Sequence, residues 1–418
     1  MTVLPDGWCL QRLDEVAEVR LGRQRSPKNH AGTSMRPYLR AANVTWNGLD
    51  LRDVKRMNFT DTEMAVYRLT PGDILLSEAS GSPGEVGKPA LWSGEFDECA
   101  FQNTLIRVRP SRVSPKYLFH FLRYQALVGR FVPESRGVGI NHLGRGRLAG
   151  WLTPVPSPDE QRRIVEILEE HLSRLDAATR DLTHARAKVK NLQTSRWLDI
   201  FGELEARFGR VDLVDAATIE NGQTPRGLDV RLSSVRSGND VPFFKVGDMN
   251  GTGGRVMAQS RSYVSRTDAE RLGLRIRAGG CVLIPKRGGA IGTNKKRILT
   301  QDAAFDLNTM GLRPRPELSV DYLWHWFQGI DLGEIADGSN IPQLNARQIN
   351  ALALPVPPIA TQQAACAELD RSLDADERLD STCRRASDRS GSLCQALLHA
   401  AFSGRLSGRQ TDVDRAEE

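Results

Sequence analysis

The chain has no apolar run approaching the ~20 residues a helix needs to cross a bilayer. Its amino terminus, MTVLPDGW, lacks the basic-then-apolar layout of a secretory signal. A cytoplasmic protein without a membrane partner is expected. Cysteine is scarce and scattered: Cys9, Cys99, Cys281, Cys366, Cys383 and Cys394 include no C-x-x-C pair and have no histidine at zinc-ligand spacing. They read as reduced, mostly buried small hydrophobes, and no metal site is expected. Catalytic motifs are missing as well. GSPGEVGKP, from Gly81, approaches a phosphate-binding loop, but Ser82 stands where the first glycine belongs and Pro89 where the magnesium-binding hydroxyl belongs. The corresponding PKRGGAIGTNKK, from Pro285, has no Gly-Lys pair, so a shared Gly-rich turn is the simpler meaning. A nuclease would need Pro-Asp followed by an acid-x-Lys triplet. Pro158-Asp159 instead fits a helix start, and Glu85 to Lys88 has one residue too many. Pro357-Pro358 lies between Val356 and Ile359, which is no adenine-methyltransferase tetrapeptide. No catalytic residue is assigned, and the chain is not expected to be an enzyme or to bind a cofactor.

What is present is a chain of 418 residues, 40% hydrophobic and 26% charged, too long for one ordinary core. Basic residues outnumber acidic ones 21 to 15 in residues 1–155 and 20 to 17 in 202–355. The counts are 8 and 8 in 156–201, and 8 and 11 in 356–418. The positive excess therefore lies in two regions that read as globular, which favours a polyanionic partner there.

Those two regions are copies. LDEVAEVRLG (Leu13 to Gly22) meets LVDAATIENG (Leu213 to Gly222), and PYLRAANV from Pro37 meets PFFKVGDM from Pro242. GDILL at Gly72 then meets GGCVL at Gly279, Asn103-Thr meets Asn308-Thr, and SPKYLFHFL from Ser114 meets SVDYLWHWF from Ser319. LTPVPSPDEQ, with Pro154 to Gln161, meets ALPVPPIATQ, with Pro355 to Gln362, at an offset of 201. Within each copy, short apolar segments broken by Gly and Pro predict strands, while YLFHFLRYQ and YLWHWFQ predict amphipathic helices. His120 and His325 take equivalent places in those helices, beside aromatics, as structural rather than catalytic groups.

After each Pro-Val-Pro the spacing predicts a helix of ~40 residues, ~60 Å long. Ile164, Leu168, Leu175, Leu182, Val189 and Leu192 follow heptad steps, with His171, Ala178 and Ala185 in the same frame. The frame recurs at Leu369, Leu379, Leu393 and Leu397, though Asp376 and Ser390 interrupt it, and Phe201-Gly202 answers Phe402-Ser403-Gly404 as a helix end. Two such helices either pack on each other as a coiled coil or lie each on its own domain. The step of 3.5 favours the coiled coil.

This order, with PVPSPDEQRRIVEIL and PVPPIATQQAACAEL opening the helices, GINHLGRGRL and NIPQLNARQI before them, and AFSGRL after the second, resembles the specificity subunit of type I restriction-modification systems over residues 4 to 406. The resemblance implies an α+β fold with a pseudo-two-fold internal repeat. Target recognition domains span 1–153 and 202–354, and antiparallel spacer helices span 154–201 and 355–406, before an acidic disordered tail at 407–418. It further implies a non-catalytic chain that binds double-stranded DNA at a bipartite site, one half per domain. Helix length would set the unread spacer, on the order of one duplex turn. Methyltransferase subunits, two of them, and restriction or translocase subunits would dock on it, with S-adenosylmethionine, ATP and magnesium on those partners. The second helix start has lost the charges of DEQRRIVEIL, which implies weaker or different docking there. Candidate DNA contacts are Ser80, Lys88, Arg136, Asn141, His142 and Arg145 in the first copy. In the second they are Lys286, Arg287, Asn294, Lys295, Asn340 and Gln343, because Arg and Lys suit guanine or phosphate and Asn and Gln suit adenine. Two other readings stay open: a stand-alone enzyme with an unrecognised site, and a scaffold of the same fold that no longer reads DNA.

Overall fold

A computed structural model of the chain describes residues 4–132, 141–251 and 254–406. It is an α+β protein of two compact units, the first discontinuous in sequence and the second continuous. The first joins Met1–Leu182 to Arg384–Glu418, and the second is Thr183–Cys383. The tail at 407–418 lies outside the described residues.

In the first unit, strands Ala17–Leu21, Leu105–Pro110, Ile74–Ser77 and Pro89–Leu91 form an antiparallel sheet in that order. Ile74, Leu76, Ile106 and Val108 are fully buried on one face and Leu75 and Leu105 on the other, so both faces of the sheet are covered. A smaller sheet pairs Met35–Leu39 in parallel with Ala100–Phe101 and antiparallel with Lys55–Asn58. The second unit repeats both. Ala217–Asn221, Thr309–Pro314, Cys281–Pro285 and Arg297–Leu299 form the larger sheet, and Tyr263–Val264, Val241–Phe244 and Ala304–Phe305 the smaller. The pairing corrects two details of the sequence alignment: Gly72 answers Gly280, not Gly279, since both have positive φ (94° and 87°) and both N–H groups bond the neighbouring strand, and Asn308 answers Thr104, not Asn103, since their carbonyls accept from the N–H groups of Lys286 and Glu78.

The two copies are tied to the long helices by the same contacts. The side chain of Gln161, 2% exposed, accepts from the Ser114 N–H (2.8 Å) and donates to the Pro156 carbonyl (2.9 Å). Gln362, fully buried, accepts from Ser319 (2.8 Å) and donates to Pro357 and Glu317 (2.7 Å each). Ser114 and Ser319 cap the helices Pro115–Leu127 and Val320–Gln328. Tyr117 and Tyr322 from those helices donate to the carbonyls of Pro154 and Pro355 (2.8 and 3.0 Å). The recurring Pro-Val-Pro then Gln is thus a buried hydrogen-bonded staple that fixes where each long helix leaves its domain.

Those helices span Pro158–Phe208 and Ile359–Phe402. The first runs past the expected end at Phe201-Gly202. Gly202 is exposed within the helix with open space around it, and the left-handed glycine that ends the helix is Gly209 (φ 72°). Inside each unit the helix segments run antiparallel. In the first, Ile164 and Leu168 share a core with Leu398 and Phe402, and Thr179 meets Ser390 hydroxyl to hydroxyl at 3.1 Å. In the second, Arg186 pairs with Asp380 (2.7 Å) and Arg196 bonds Ser372. Leu175, Leu182 and Leu397 are half-buried, and Val189 and Leu369 are buried.

The strict heptad fails at particular places. Leu172, Thr179 and Gln193 turn inward where His171, Ala178 and Leu192 were expected, and Leu192 is 62% exposed. On the second helix Asp380 and Cys394 replace Leu379 and Leu393, which are 46% and 57% exposed. The covered side from Ile164 to Trp197 recurs about every 3.6 residues, the pitch of a straight helix, so a 3.5-residue frame drifts off it within two or three turns.

Candidate nucleic-acid interface

In the first unit the strand Ile74–Ser77 leads into Glu78, whose N–H donates to the Thr104 carbonyl at 2.9 Å. Ala79–Ser80 then pairs antiparallel with Asn141–His142, and the N–H of the fully packed Leu143 donates back to the Glu78 carbonyl at 2.7 Å. This bridge gathers Ser80, Asn141 and His142 from sequence positions far apart. His142 Nδ1 lies 3.0 Å from a carboxylate oxygen of Glu78.

The second unit builds the same bridge. Lys286 follows Cys281–Pro285, and its N–H donates to the Asn308 carbonyl (2.7 Å). Arg287 is bridged to Gln343, Gly288 donates to the Pro342 carbonyl (2.8 Å), and the buried Leu344 donates to the Lys286 carbonyl (2.9 Å). Lys286, Arg287 and Gln343 therefore come together. Lys286 Nζ donates to the Asn221 side-chain carbonyl at 2.9 Å. Asn340 is exposed in the turn that Asp337 closes by accepting from the Gln343 N–H (3.1 Å). Hydrogen bonds from Ser339 and from backbone N–H groups hold the Asp337 carboxyl below the usual range.

The other candidates are placed differently. Lys88 is paired with Glu85, whose other oxygen accepts from the Trp46 indole at 3.0 Å. That lysine holds the Glu85 carboxyl low. Lys295 bonds the Asn250 side chain. Asn294, a non-glycine residue with positive φ (52°), uses its side-chain oxygen inside the fold, accepting from Lys296 Nζ (2.7 Å) and the Leu332 N–H (3.0 Å). Arg145 is exposed at the start of the helix Arg145–Ala149. Arg136 lies outside the described residues.

Sequence reasoning missed Glu78, Asn221 and Lys296. Lys296 is 2% exposed, donates to the Ile330 carbonyl (2.7 Å) as well as to Asn294, and burial pushes its ammonium down to about 8. It fixes the segment leading toward Asn340 and Gln343. Nothing in a linear scan marks a lysine between two other charged residues as a core group. Glu78 was legible only as the acid ending an apolar strand. Among the described residues no group of three or more His, Cys, Asp or Glu could hold a metal ion. Cys99, Cys281, Cys366 and Cys383 are buried and free, and burial pushes the Cys99 and Cys281 thiols up to about 12. No described helix is long and apolar enough to cross a membrane.

Comparison with known proteins bears on what this arrangement is for. Residues 5–186 match the type I restriction modification DNA specificity domain. The specificity subunit of the type I restriction enzyme StySPI of Salmonella potsdam is 27% identical over 178 residues, covering 42% of this chain and 38% of that one. The EcoKI specificity subunit of Escherichia coli (strain K12) is 23% identical over 270 residues, 58% of each. The chain thus aligns with about half the length of these curated relatives. Among solved structures, a chain from work on complex assembly and conformational transition of the type I R-M system superposes over 97% of this chain and 100% of its own, with a TM-score of 0.72 and 19% identity. The HsdS subunit from Thermoanaerobacter tengcongensis covers 96% of this chain and 98% of its own at a TM-score of 0.51 and 21% identity. Residues 5–186 are thus similar to the type I restriction modification DNA specificity domain, and the chain as a whole shares the fold of these two solved chains.

Proposed function

We propose that the chain is the DNA-reading, non-catalytic subunit of a type I restriction-modification complex, taking one half of a bipartite duplex site with each domain. One observation carries this. The two units keep the same strand pairing, helix staple and loop bridge, while the side chains on the bridge differ: Glu78, Ser80 and His142 in one, Lys286, Gly288 and Gln343 in the other. A scaffold repeated with different polar groups at one exposed place is what reading two unlike half-sites requires, because base edges are told apart by donor and acceptor pattern. The basic excess of both globular regions supplies the sequence-independent attraction to phosphates.

On this reading the long helices serve as the docking surface for two methyltransferase subunits and for restriction subunits. S-adenosylmethionine, ATP and magnesium are then bound by those partners, and the complex works in the cytoplasm. The test is to map methylated adenines in cells with and without an intact copy of this chain, and to measure binding of the full chain, alone and with methyltransferase subunits, to duplex DNA. Loss of a defined set of bipartite methylated sites supports the reading. An unchanged methylation map together with no sequence-selective binding overturns it.

A further inference from the structure

The loop bridge places opposite charges at one backbone position. Glu78 and Lys286 each follow the same strand of the larger sheet, donate their N–H to the equivalent neighbouring loop, and accept from a buried leucine, Leu143 or Leu344. Elsewhere the contacts that build the fold are kept between copies: Gln161 with Gln362, Tyr117 with Tyr322. A position that served only the scaffold would gain nothing from reversing its charge.

Each side chain is held by one neighbour and still has hydrogen-bonding capacity to spare. The Glu78 side chain is 16% exposed beside the 61% exposed His142, and a carboxylate can accept more bonds than one imidazole N–H supplies. Lys286, half-buried, has Asn221 as an acceptor and two further ammonium protons. Asn221 ends the strand that Leu21 ends in the first copy, so the polar support for Lys286 is particular to the second unit. Beside Glu78, Lys88, whose carbonyl accepts from the Ser77 N–H, is already engaged by Glu85.

We propose that Glu78 and Lys286 are matched base-reading positions. Glu78, steadied by His142, accepts from the amino edge of a cytosine in one half-site, and Lys286, steadied by Asn221, donates to the acceptor edge of a guanine in the other. A carboxylate brought against duplex DNA is repelled by phosphate and by the acceptors of guanine. It is tolerated only where a base amino group meets it, so the same side chain selects for one base and against another. An ammonium has the converse preference and is compatible with the surrounding phosphates. This inference rests on the proposed function.

The test uses the full chain with its methyltransferase partner subunits, presented with duplexes randomised in sequence at physiological salt, the bound fraction being sequenced. The unsubstituted chain is expected to enrich a bipartite motif. Glu78→Gln should lower the preference for cytosine at one position of one half by about ten-fold or more and shift it toward adenine, leaving the other positions and the other half unchanged. Lys286→Gln should do the same to a guanine in the opposite half. Both variants enriching the original motif would overturn the inference while leaving the proposed function standing. So would loss of an entire half-site by both, because a base-reading side chain should leave its neighbours' preferences intact. Failure of the unsubstituted complex to enrich any sequence would overturn the proposed function, and this inference with it.

Discussion

One turn along the same helix, the two copies treat a buried histidine in opposite ways. His325 Nε2 bonds Asp370 at 2.9 Å, and Asp370 also receives Arg255, which bridges to Asp321 and stacks on Trp324 at 4.7 Å. His120, 5% exposed, has no partner at Nδ1, and Lys116, where the second copy has Asp321, bonds Glu169 at 2.9 Å instead. Burial pushes His120 down to about 4. His325 is lowered by burial too, with Asp370 opposing the shift. Equivalent helix positions with different charge partners make one unit more sensitive to acid than the other. The lesson is that the duplication preserved placement of groups and not their electrostatics.

The sharpest way to test what the copies share is to disturb a contact neither can give up. Gly22 and Gly222 pass so close to the backbone carbonyls of Gln102 and Asp306 that an added Cβ would overlap them. Alanine at either should destabilise its own unit by about 4 kcal/mol, read as a lowered thermal midpoint. If one tolerates alanine, the two sheets are less alike than their pairing indicates.

The histidines test what the copies do not share. His120 is neutral when folded and protonates near pH 4, whereas in the unfolded chain it protonates near 6.5. Its contribution is therefore present above pH 6.5 and lost as pH falls toward 4, by at most about 3 kcal/mol. Thermal unfolding followed from pH 7 to 4.5 should show a shallower acid loss in His120→Gln than in the unsubstituted chain. His325→Gln should change that slope less, since Asp370 opposes the lowering. Equal slopes would contradict the comparison.

Smaller effects separate staple from seam. Replacing Gln362 by leucine strands a buried N–H and two carbonyls, and replacing Gln161 strands one of each. Losses of about 3 and about 2 kcal/mol are expected in denaturant unfolding. Glutamine or glutamate at Leu192 or Leu393 should change stability by no more than about 0.5 kcal/mol, while Leu172→Ala, in the closed core, should cost about 2–3. A large loss at Leu192 would restore the heptad frame.

Much of the architecture was written in local chemistry. Pro-Val-Pro followed by Gln marks each helix exit because proline ends a strand and the glutamine bonds the carbonyl five residues before it, whereas its bond to Ser114 or Ser319, more than forty residues away, was not legible. The helix pair was legible as amphipathic. Its covered face was not, since 3.5 and 3.6 residues per turn agree at Ile164 and Leu168 and part company by Leu172. The helix end at Phe201 was misread because glycine ends a helix only in the left-handed conformation, which sequence does not show. The bridge joining Ser80 to Asn141 and Arg287 to Gln343 depends on long-range pairing. The residues it collects could be nominated one by one, but Glu78, the acid between them, could not.

The core of the first unit contains Leu13, Tyr117 and Ile164 together with Leu398, Ala401 and Phe402, and Gly404 lies against the ring of Pro5. During synthesis its opening strands emerge early, yet the side chains that close their core are made only after the whole of Thr183–Cys383. The second unit, whose parts all lie within Thr183–Cys383, has its full complement sooner. Contacts of such long sequence separation are slow to form and leave apolar surface uncovered meanwhile. The unit whose strands are made before the other's is closed only after the other is complete.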